Sequence, residues 1–357
     1  MSFADLTERE KLILKALIDH YIESAEPVAS AVLAQKYGFD LSSATIRNTI
    51  KDLEDMDLLR QPHTSAGRIP TQLGYRLYVD YLLRPEKLSH SDREKIEKNI
   101  SKEYAGIEQI LEQTSRVLGD VSRQLGIAVS PRFESGILTR LELIHVADHR
   151  VMVILVMRSG LARTVLLEVE SELKEKNLGE TAAILNERLC GLTLGEIKRT
   201  IRERLATPTK GDPKLIKMFV ESSDELLSFA HEFDIHVGGT KHILSQPEFK
   251  NPDRIRELID FIEQRQTVYQ LVTRAGIEEG IAVVIGVEKG IGAPSHGVEE
   301  LSLLSATYQA GKFKGTLGII GPTRMPYSKL MGIVDYTARR LSDVLSEYGL
   351  DTNRHLS

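Results

Sequence analysis

The chain has 357 residues, enough for two or three domains that each bury a core. It is 41% hydrophobic and 27% charged with a formal net charge of −5, which excludes large-scale disorder and any globally basic surface for a polyanion. The single cysteine, Cys190, excludes an intramolecular disulfide and cysteine-rich zinc sites.

The N-terminal MSFADLTERE lacks a basic stretch followed by an apolar one, so no signal peptide is expected. No apolar run approaches the ~20 residues that span a bilayer. A cytoplasmic location without membrane partners follows as the expectation.

Residues 1–84 predict three helices, two short strands and a fourth helix. Thr7 and Glu10 have capping-box spacing ahead of Leu14, Leu17, Ile18 and Tyr21, which share a helical face, and Pro27 closes that element. Ser30 is placed to cap a short helix ending at Tyr37-Gly38, and Ser42 or Ser43 a third with Ile46, Ile50 and Leu53 on its buried side. Leu58 to Gln61 reads as a strand, PHTSAGRIP (62–70) as the loop after it, and Thr71 as the cap of a helix aligning Tyr75, Tyr78, Val79 and Leu82. Arg84-Pro85 ends that helix, and PEKLSHSD reads as a linker.

Ser91 and Glu94 suggest a second capping box, opening a long helix toward Gly126 with Ile100, Ile107, Leu111, Thr114, Leu118, Val121 and Leu125 at 3–4 spacing. That spacing suits pairing with another helix, from this or a second subunit. It equally suits a helix lying on its own domain's sheet.

Three strands, GILTRLELIHV, RVMVILVM and LARTVLLEV, follow with short turns ADH and RSG, predicting antiparallel hairpins. Residues 172–267 return to helices rich in Glu, Lys and Arg, with a small hairpin expected at DIHV-GG-TKHI. Strands resume at IAVVIGVE, LSLLSATYQ and KGTLGIIG, and an amphipathic helix over about 325–348 carries Leu330, Ile333, Val334, Ala338 and Leu341. Strands on both sides of a helical block predict one antiparallel sheet interrupted by an insertion. Two separate α+β domains would leave each half about three strands and less area to bury.

Helix, helix, helix, strand, loop, strand within ~80 residues is the order of a winged helix-turn-helix. At about 100° per residue, Ile50 and Leu53 fall within about 40° of Ile46, while Ala44, Arg47, Asn48 and Lys51 lie opposite. Arg and Lys pair with guanine, Asn with adenine, and a small residue makes room for the thymine methyl. Ser42, Ser43 and Thr45 add hydroxyls and free N–H groups at the helix start that suit a phosphate. The second half, with Asp52, Glu54, Asp55 and Asp57, is acidic and orients the helix toward DNA by its N-terminal end. Residues 1–84 carry ten Lys or Arg against twelve Asp or Glu, so DNA binding depends on placement rather than bulk charge.

Leu58 to Val79 contains no carboxylate, in a chain with 51 acidic residues. A linker has no need of that exclusion, whereas a surface kept clear for DNA does. Within it, Gly67 is expected to permit the turn, and His63, Thr64, Ser65 and Arg68 to supply donors for phosphate or the minor groove.

Other motifs carry less. GVEKGIGAPSHG (286–297) matches neither phosphate-loop pattern and reads as a flexible connection between strands. His231, His236 and His242 offer no zinc-ligand spacing and read as surface or capping residues, Ser65 lacks the strand-to-helix elbow of a nucleophile, and Cys190 reads as a small core residue. No cofactor, metal or catalytic set is expected. An enzyme whose winged helix docks protein would need convergent titratable residues, and none can be assembled.

SSATIRNTIKDLEDMDLLRQPHTSAGRIPTQLGYRLYVDYLL resembles the heat-inducible transcription repressor HrcA family, through ATIRN, PHTSAGRIP and GYRLYV. GTLGIIGPTRMPYSKLMGIVDYTARRL resembles the family's C-terminal end, so the likeness is dense at both ends and thin between. The resemblance implies an α+β multidomain fold: a winged helix at 1–84, a GAF-like domain split over 88–171 and 268–357, and an inserted, mostly helical dimerisation domain at 172–267. It further implies a homodimer on an inverted-repeat operator, the CIRCE element, upstream of chaperone genes, kept active by the GroE chaperonin. On fold analogy alone, the alternative is a winged-helix regulator whose GAF-like domain senses a small molecule. Asp57 stands where the family pattern leads us to expect glycine, and aspartate tolerates left-handed geometry better than most residues.

Overall fold

The computed structural model of the chain describes residues 6–84, 86–101, 107–131, 136–147, 149–158, 162–169, 175–206, 211–227, 235–275, 280–286, 300–310 and 313–351. It divides into two compact units: 1–129 with 235–307 and 316–340, and 130–234 with 308–315 and 341–357.

The first unit begins with the expected winged helix. Helix α1 (Glu8–Ser24) starts at the Thr7–Glu10 capping box and buries Ile13, Leu14, Leu17 and Ile18. Helix α2 (Ser30–Lys36) has Ala29 rather than Ser30 at its N-cap and no side-chain cap bond. Helix α3 (Ser43–Asp55) is capped by Ser42 and buries Ile46, Thr49, Ile50 and Leu53. Asp57 then takes the left-handed conformation at φ 58°, the geometry for which the family pattern calls for glycine.

Strands β1 (Leu59–Arg60) and β2 (Ile69–Pro70) pair antiparallel, and Val28 bridges to Arg68 as a third, single-residue strand. Thr71 caps helix α4 (Gln72–Leu77), which continues as a wider π turn to Leu82. Its hydroxyl accepts from Gly74 N at 3.0 Å and donates to the Asp57 carbonyl at 2.6 Å, tying α4 to the turn after α3.

The long helix expected from Ser91 is two helices, α5 (His90–Asn99) and α6 (Ile107–Ser122). The cap is Ser89, whose hydroxyl accepts from Asp92 N, so Ser91 lies inside the helix and the proposed box does not form. Helix α6 lies on its own domain's sheet, packing on β3 (Leu125–Val129) and β7 (Ile235–Gly238). Its backbone comes so close that a Cβ on Gly126 would stand 2.2 Å from Ser115 O, and one on Gly238 2.6 Å from Arg116 Cα.

That sheet has five strands in the order β7-β3-β10-β9-β8, with β8 at Ile281–Val284, β9 at Leu301–Ala310 and β10 at Phe313–Pro322. Successive residues of a strand face opposite sides. Leu125, Ile127 and Val129 therefore join Phe261, Leu271 and Val272 of helices α12 (Pro252–Glu263) and α13 (Arg265–Ala275), while Gly126 faces α6. A sheet covered on both faces explains why β3 is buried at every position.

The expected hairpin around Gly238-Gly239 does not form. β7 pairs with β3 instead, Gly239 turns left-handed at φ 81°, and Thr240–Ile243 make a helical turn, α11.

In the second unit, strands β4 (Leu138–Ala147), β5 (Arg150–Met157) and β6 (Ala162–Glu168) form the expected antiparallel hairpins, but as a separate three-stranded sheet. Their inward residues, among them Leu141, Val153, Leu155 and Val165, pack with Leu185, Ile197, Leu215 and Phe219 of helices α7 (Glu175–Leu189), α8 (Leu194–Arg204) and α9 (Pro213–Glu221). A short helix, α10 (Ser223–Leu226), follows.

The single interrupted sheet expected from the sequence is thus two sheets. The intervening segment runs 130–234, not 172–267, and contains the hairpins, while α11–α13 belong with the five-stranded sheet. The distinction is physical: β5 alternates buried and half-buried and so covers one core, whereas β3 is enclosed on both sides. Helix α14 (Tyr327–Asp351) ends the described chain. No described helix is long and apolar enough to cross a membrane.

Candidate nucleic-acid interface

The candidate surface consists of the exposed side of α3 and the loop between β1 and β2. Ser43, Ala44, Arg47, Asn48 and Lys51 are exposed, and neither Arg47 nor Lys51 has an ion-pair partner among the described residues. The Ser42 hydroxyl accepts from Thr45 N at 3.1 Å and lies 2.9 Å from the Thr45 hydroxyl. Its first role is therefore the helix cap, which leaves the remaining first-turn N–H groups and the positive end of the helix dipole for an anion. Replacing Ser42 with alanine is expected to cost about 1 kcal/mol of stability, read as a shift in the denaturation midpoint.

Asp52 and Asp55 are also exposed, and Asp55 follows Ala44 and Lys51 along the same side of α3. A polyanion lying flush along the whole helix would meet both carboxylates. The helix therefore presents its N-terminal half, as the sequence gradient indicates.

The loop tip exposes His63, Thr64 and Ser65. It is held by Gln61, whose amide donates to the carbonyls of Thr64 and Ala66, each at 2.9 Å, while Ala66 N closes a turn on His63 O at 2.8 Å. Sequence reasoning passed over Gln61, and its only signal was a lone amide at the base of a Gly/Pro loop.

Arg68, expected to supply donors for phosphate or the minor groove, is also engaged within the domain. It is partly buried, and its Nε donates to Glu54 Oε2 at 2.9 Å, binding the wing back onto α3. Its backbone exchanges two hydrogen bonds with Val28, at 2.8 and 2.9 Å. Gly67 has no positive φ. It is needed because a Cβ there would stand 2.4 Å from the Val28 carbonyl carbon.

Behind this surface, the Tyr78 hydroxyl donates to Asp19 Oδ1 at 2.5 Å, and burial together with this bond raises its pKa. Burial likewise pushes the Tyr75 phenol well up. Tyr75 lines a cleft of about 350 Å³ with Tyr21, Arg60, Glu248 and Arg324, and its buried hydroxyl has no hydrogen-bond partner.

The other singled-out residues form no second site. His242 Nε2 lies 2.7 Å from Asp120 Oδ1, which holds that carboxyl below its usual range. His236 is in β7, and His231 lies outside the described residues, as does 287–297 of the glycine-rich segment. No group of three or more His, Cys, Asp or Glu side chains suited to a metal occurs among the described residues. Cys190 packs half-buried against the second unit's core and donates to Asn186 Oδ1 at 3.1 Å.

An exposed recognition helix beside a braced, carboxylate-free wing defines a winged-helix DNA-binding protein. The comparisons agree and go further. Residues 5–80 match the model for the winged helix-turn-helix transcription repressor, HrcA DNA-binding, and residues 108–331 that for the HrcA protein C terminal domain. The heat-inducible transcription repressor HrcA of Chlorobium phaeovibrioides is 37% identical, covering 97% of this chain and 99% of that protein. That of Geobacter sulfurreducens is 38% identical, covering 96% and 98%. A crystal structure of a protein described as hypothetical shares the fold at TM-score 0.59 and 24% identity, over 96% of this chain and 100% of that one.

The chain belongs to the heat-inducible transcription repressor HrcA family. It is a DNA-binding transcription repressor and not an enzyme.

Proposed function

We propose that the protein represses chaperone genes in the bacterial cytoplasm by binding an inverted-repeat operator, the CIRCE element, as a homodimer kept active by the GroE chaperonin. The observation that carries the DNA-binding part is the exposed Arg47, Asn48 and Lys51 on the N-terminal half of α3, next to a wing without carboxylates. In this reading Arg47, Asn48 and Lys51 meet base edges. Ser42, Ser43 and Thr45 hold a phosphate at the helix start, and His63, Thr64 and Ser65 contact the backbone or minor groove. Arg68 contributes through its clasp on Glu54, which sets the wing's angle to α3.

An inverted repeat calls for a two-fold partner. The outward side of the three-stranded sheet supports one. Register aligns Ile144, Met152 and Leu166 in a cross-strand row, and Ile144, Val146 and Leu166 are 39%, 54% and 47% exposed. Apolar residues in contiguous rows are rarely left in water. A second copy of the same sheet, related by a two-fold axis, would cover them. The double variant Ile144→Asp, Leu166→Asp is expected to sediment as a monomer and to bind the repeat about tenfold or more weakly.

The test of the whole reading is titration of the inverted-repeat duplex against one with a scrambled half-site. Two chains per intact repeat, with a loss of about tenfold or more on scrambling, support it. One chain per duplex with equal affinities overturns it.

A second reading makes the GAF-like domain a small-molecule sensor, with the Tyr75 cleft as the place where a ligand would bridge Tyr21, Arg60 and Tyr75 of the winged helix to Glu248, Glu300 and Arg324 of the sheet domain. A metabolite that raises the melting temperature of the wild type but not of Tyr75→Phe would support it. The same shift in both proteins would remove the cleft from consideration.

A further inference from the structure

We infer that Arg324 is a positioning residue that fixes the recognition helix at one angle to the five-stranded sheet, so that the dimer accepts one half-site spacing. The inference rests on the dimeric reading above.

Arg324 belongs to the turn between β10 and α14, yet its side chain reaches the winged helix. Nη1 donates to the Ile22 carbonyl at 2.6 Å, Nε to Glu248 Oε1 at 2.7 Å, and Nη2 to Glu248 Oε2 at 3.3 Å and Gln246 Oε1 at 3.4 Å. Its side chain is only 12% exposed. A nearly buried, two-pronged ion pair has one good geometry, unlike a surface pair that can swing.

The place it grips is informative. Ile22 lies in the last turn of α1, where carbonyls lack helical partners and the dipole is negative. The last turn of α1 contains no basic residue of its own, so the sheet domain supplies the cation. Helix α1 packs against α3, with Leu17 and Ile18 of the one and Ile46 and Leu53 of the other fully buried, and a fixed α1 therefore fixes the reading helix.

The turn carrying Arg324 is itself stiff. Thr323 donates through both N and its hydroxyl to Glu300 O at 2.8 Å, and the buried Tyr327 hydroxyl donates to Thr323 O at 2.8 Å. Other contacts among the described residues join α4 and the chain leaving the winged helix to the sheet domain, including Arg76 to Val283 O, Ser328 Oγ to Arg84 O and the Tyr75–Tyr327 ring contact at 6.0 Å. None of these contacts holds the end of α1 itself, so without Arg324 that end loses its cationic tie to the sheet domain.

The experiment measures the affinity of full-length wild type, Arg324→Ala and Glu248→Gln for an isolated half-site, the native repeat, and repeats with spacers changed by up to three base pairs. Melting curves show that each variant is folded, and Glu248→Gln carries the test if Arg324→Ala is not. Arg324→Ala is expected to keep half-site affinity within about twofold and to lose about tenfold on the native repeat, with a flattened spacing profile. Glu248→Gln is expected to fall between. An unchanged profile overturns the inference, and so does an equal loss on half-site and repeat, which marks a merely structural role. A wild type that binds half-site and repeat alike overturns the dimeric reading itself, an outcome distinct from failure of Arg324 alone.

Discussion

Gly67→Ala is expected to destabilise the winged helix by about 2–4 kcal/mol, from steric overlap and the loss of two hydrogen bonds. The added Cβ would lie 2.4 Å from Val28 C, 2.5 Å from Val28 O and 2.7 Å from Pro27 C, all backbone atoms without a rotamer to escape into. The chain must move apart there, breaking the paired Val28–Arg68 hydrogen bonds that join the wing to the helices. Gly38→Ala provides the control. Gly38 is left-handed at φ +56°, but its Cβ would meet nothing within 4 Å, so only the backbone penalty of roughly 1–2 kcal/mol remains. Chemical denaturation of both variants checks the difference, and equal midpoints would refute close approach as the reason for Gly67.

Arg47→Ala and Asn48→Ala are each expected to cost about 1–3 kcal/mol on the operator and almost nothing on random duplex DNA. Both side chains are exposed, so removing them leaves the Ile46, Ile50 and Leu53 face intact and folding stability nearly unchanged. Arg68→Ala should behave differently, because its guanidinium is engaged by Glu54. It is expected to lower stability together with binding to every sequence, and Glu54→Gln, which frees the same guanidinium, should reproduce part of that loss. Equal losses on operator and random DNA for Arg47→Ala would remove it from base reading.

The winged helix was the most legible part of the chain. Its signals are local: the Thr7–Glu10 box, the Ser42 and Thr71 caps, and the apolar face of α3 all formed as their spacing implies. Elsewhere the structure departs from the sequence reading, in one case through a neighbouring residue and otherwise through contacts from far along the chain. Ser91 and Glu94 have capping-box spacing, but Ser89, two residues earlier, takes the cap with its hydroxyl accepting from Asp92 N, a competition within the same turn. The 3–4 spacing of α6 is common to helix pairing and sheet covering, and glycines at 126 and 238 settled it by admitting the helix backbone. The hairpin strands and the five-stranded sheet look alike as apolar runs, and only which faces are covered separates them. Arg68 reads as a donor for DNA and Arg324 carries no local signal, because their partners, Glu54 and Glu248, are 14 and 76 residues away.

The most direct test of the central claim is the salt dependence of wild-type binding to an inverted-repeat operator and to random duplex of the same length. If α3 reads bases while the helix start and wing hold phosphates, operator binding should be tighter by about 10³-fold or more at physiological salt. Both affinities should fall linearly with the logarithm of salt concentration. Equal affinities with parallel salt slopes would contradict sequence-specific recognition by this surface.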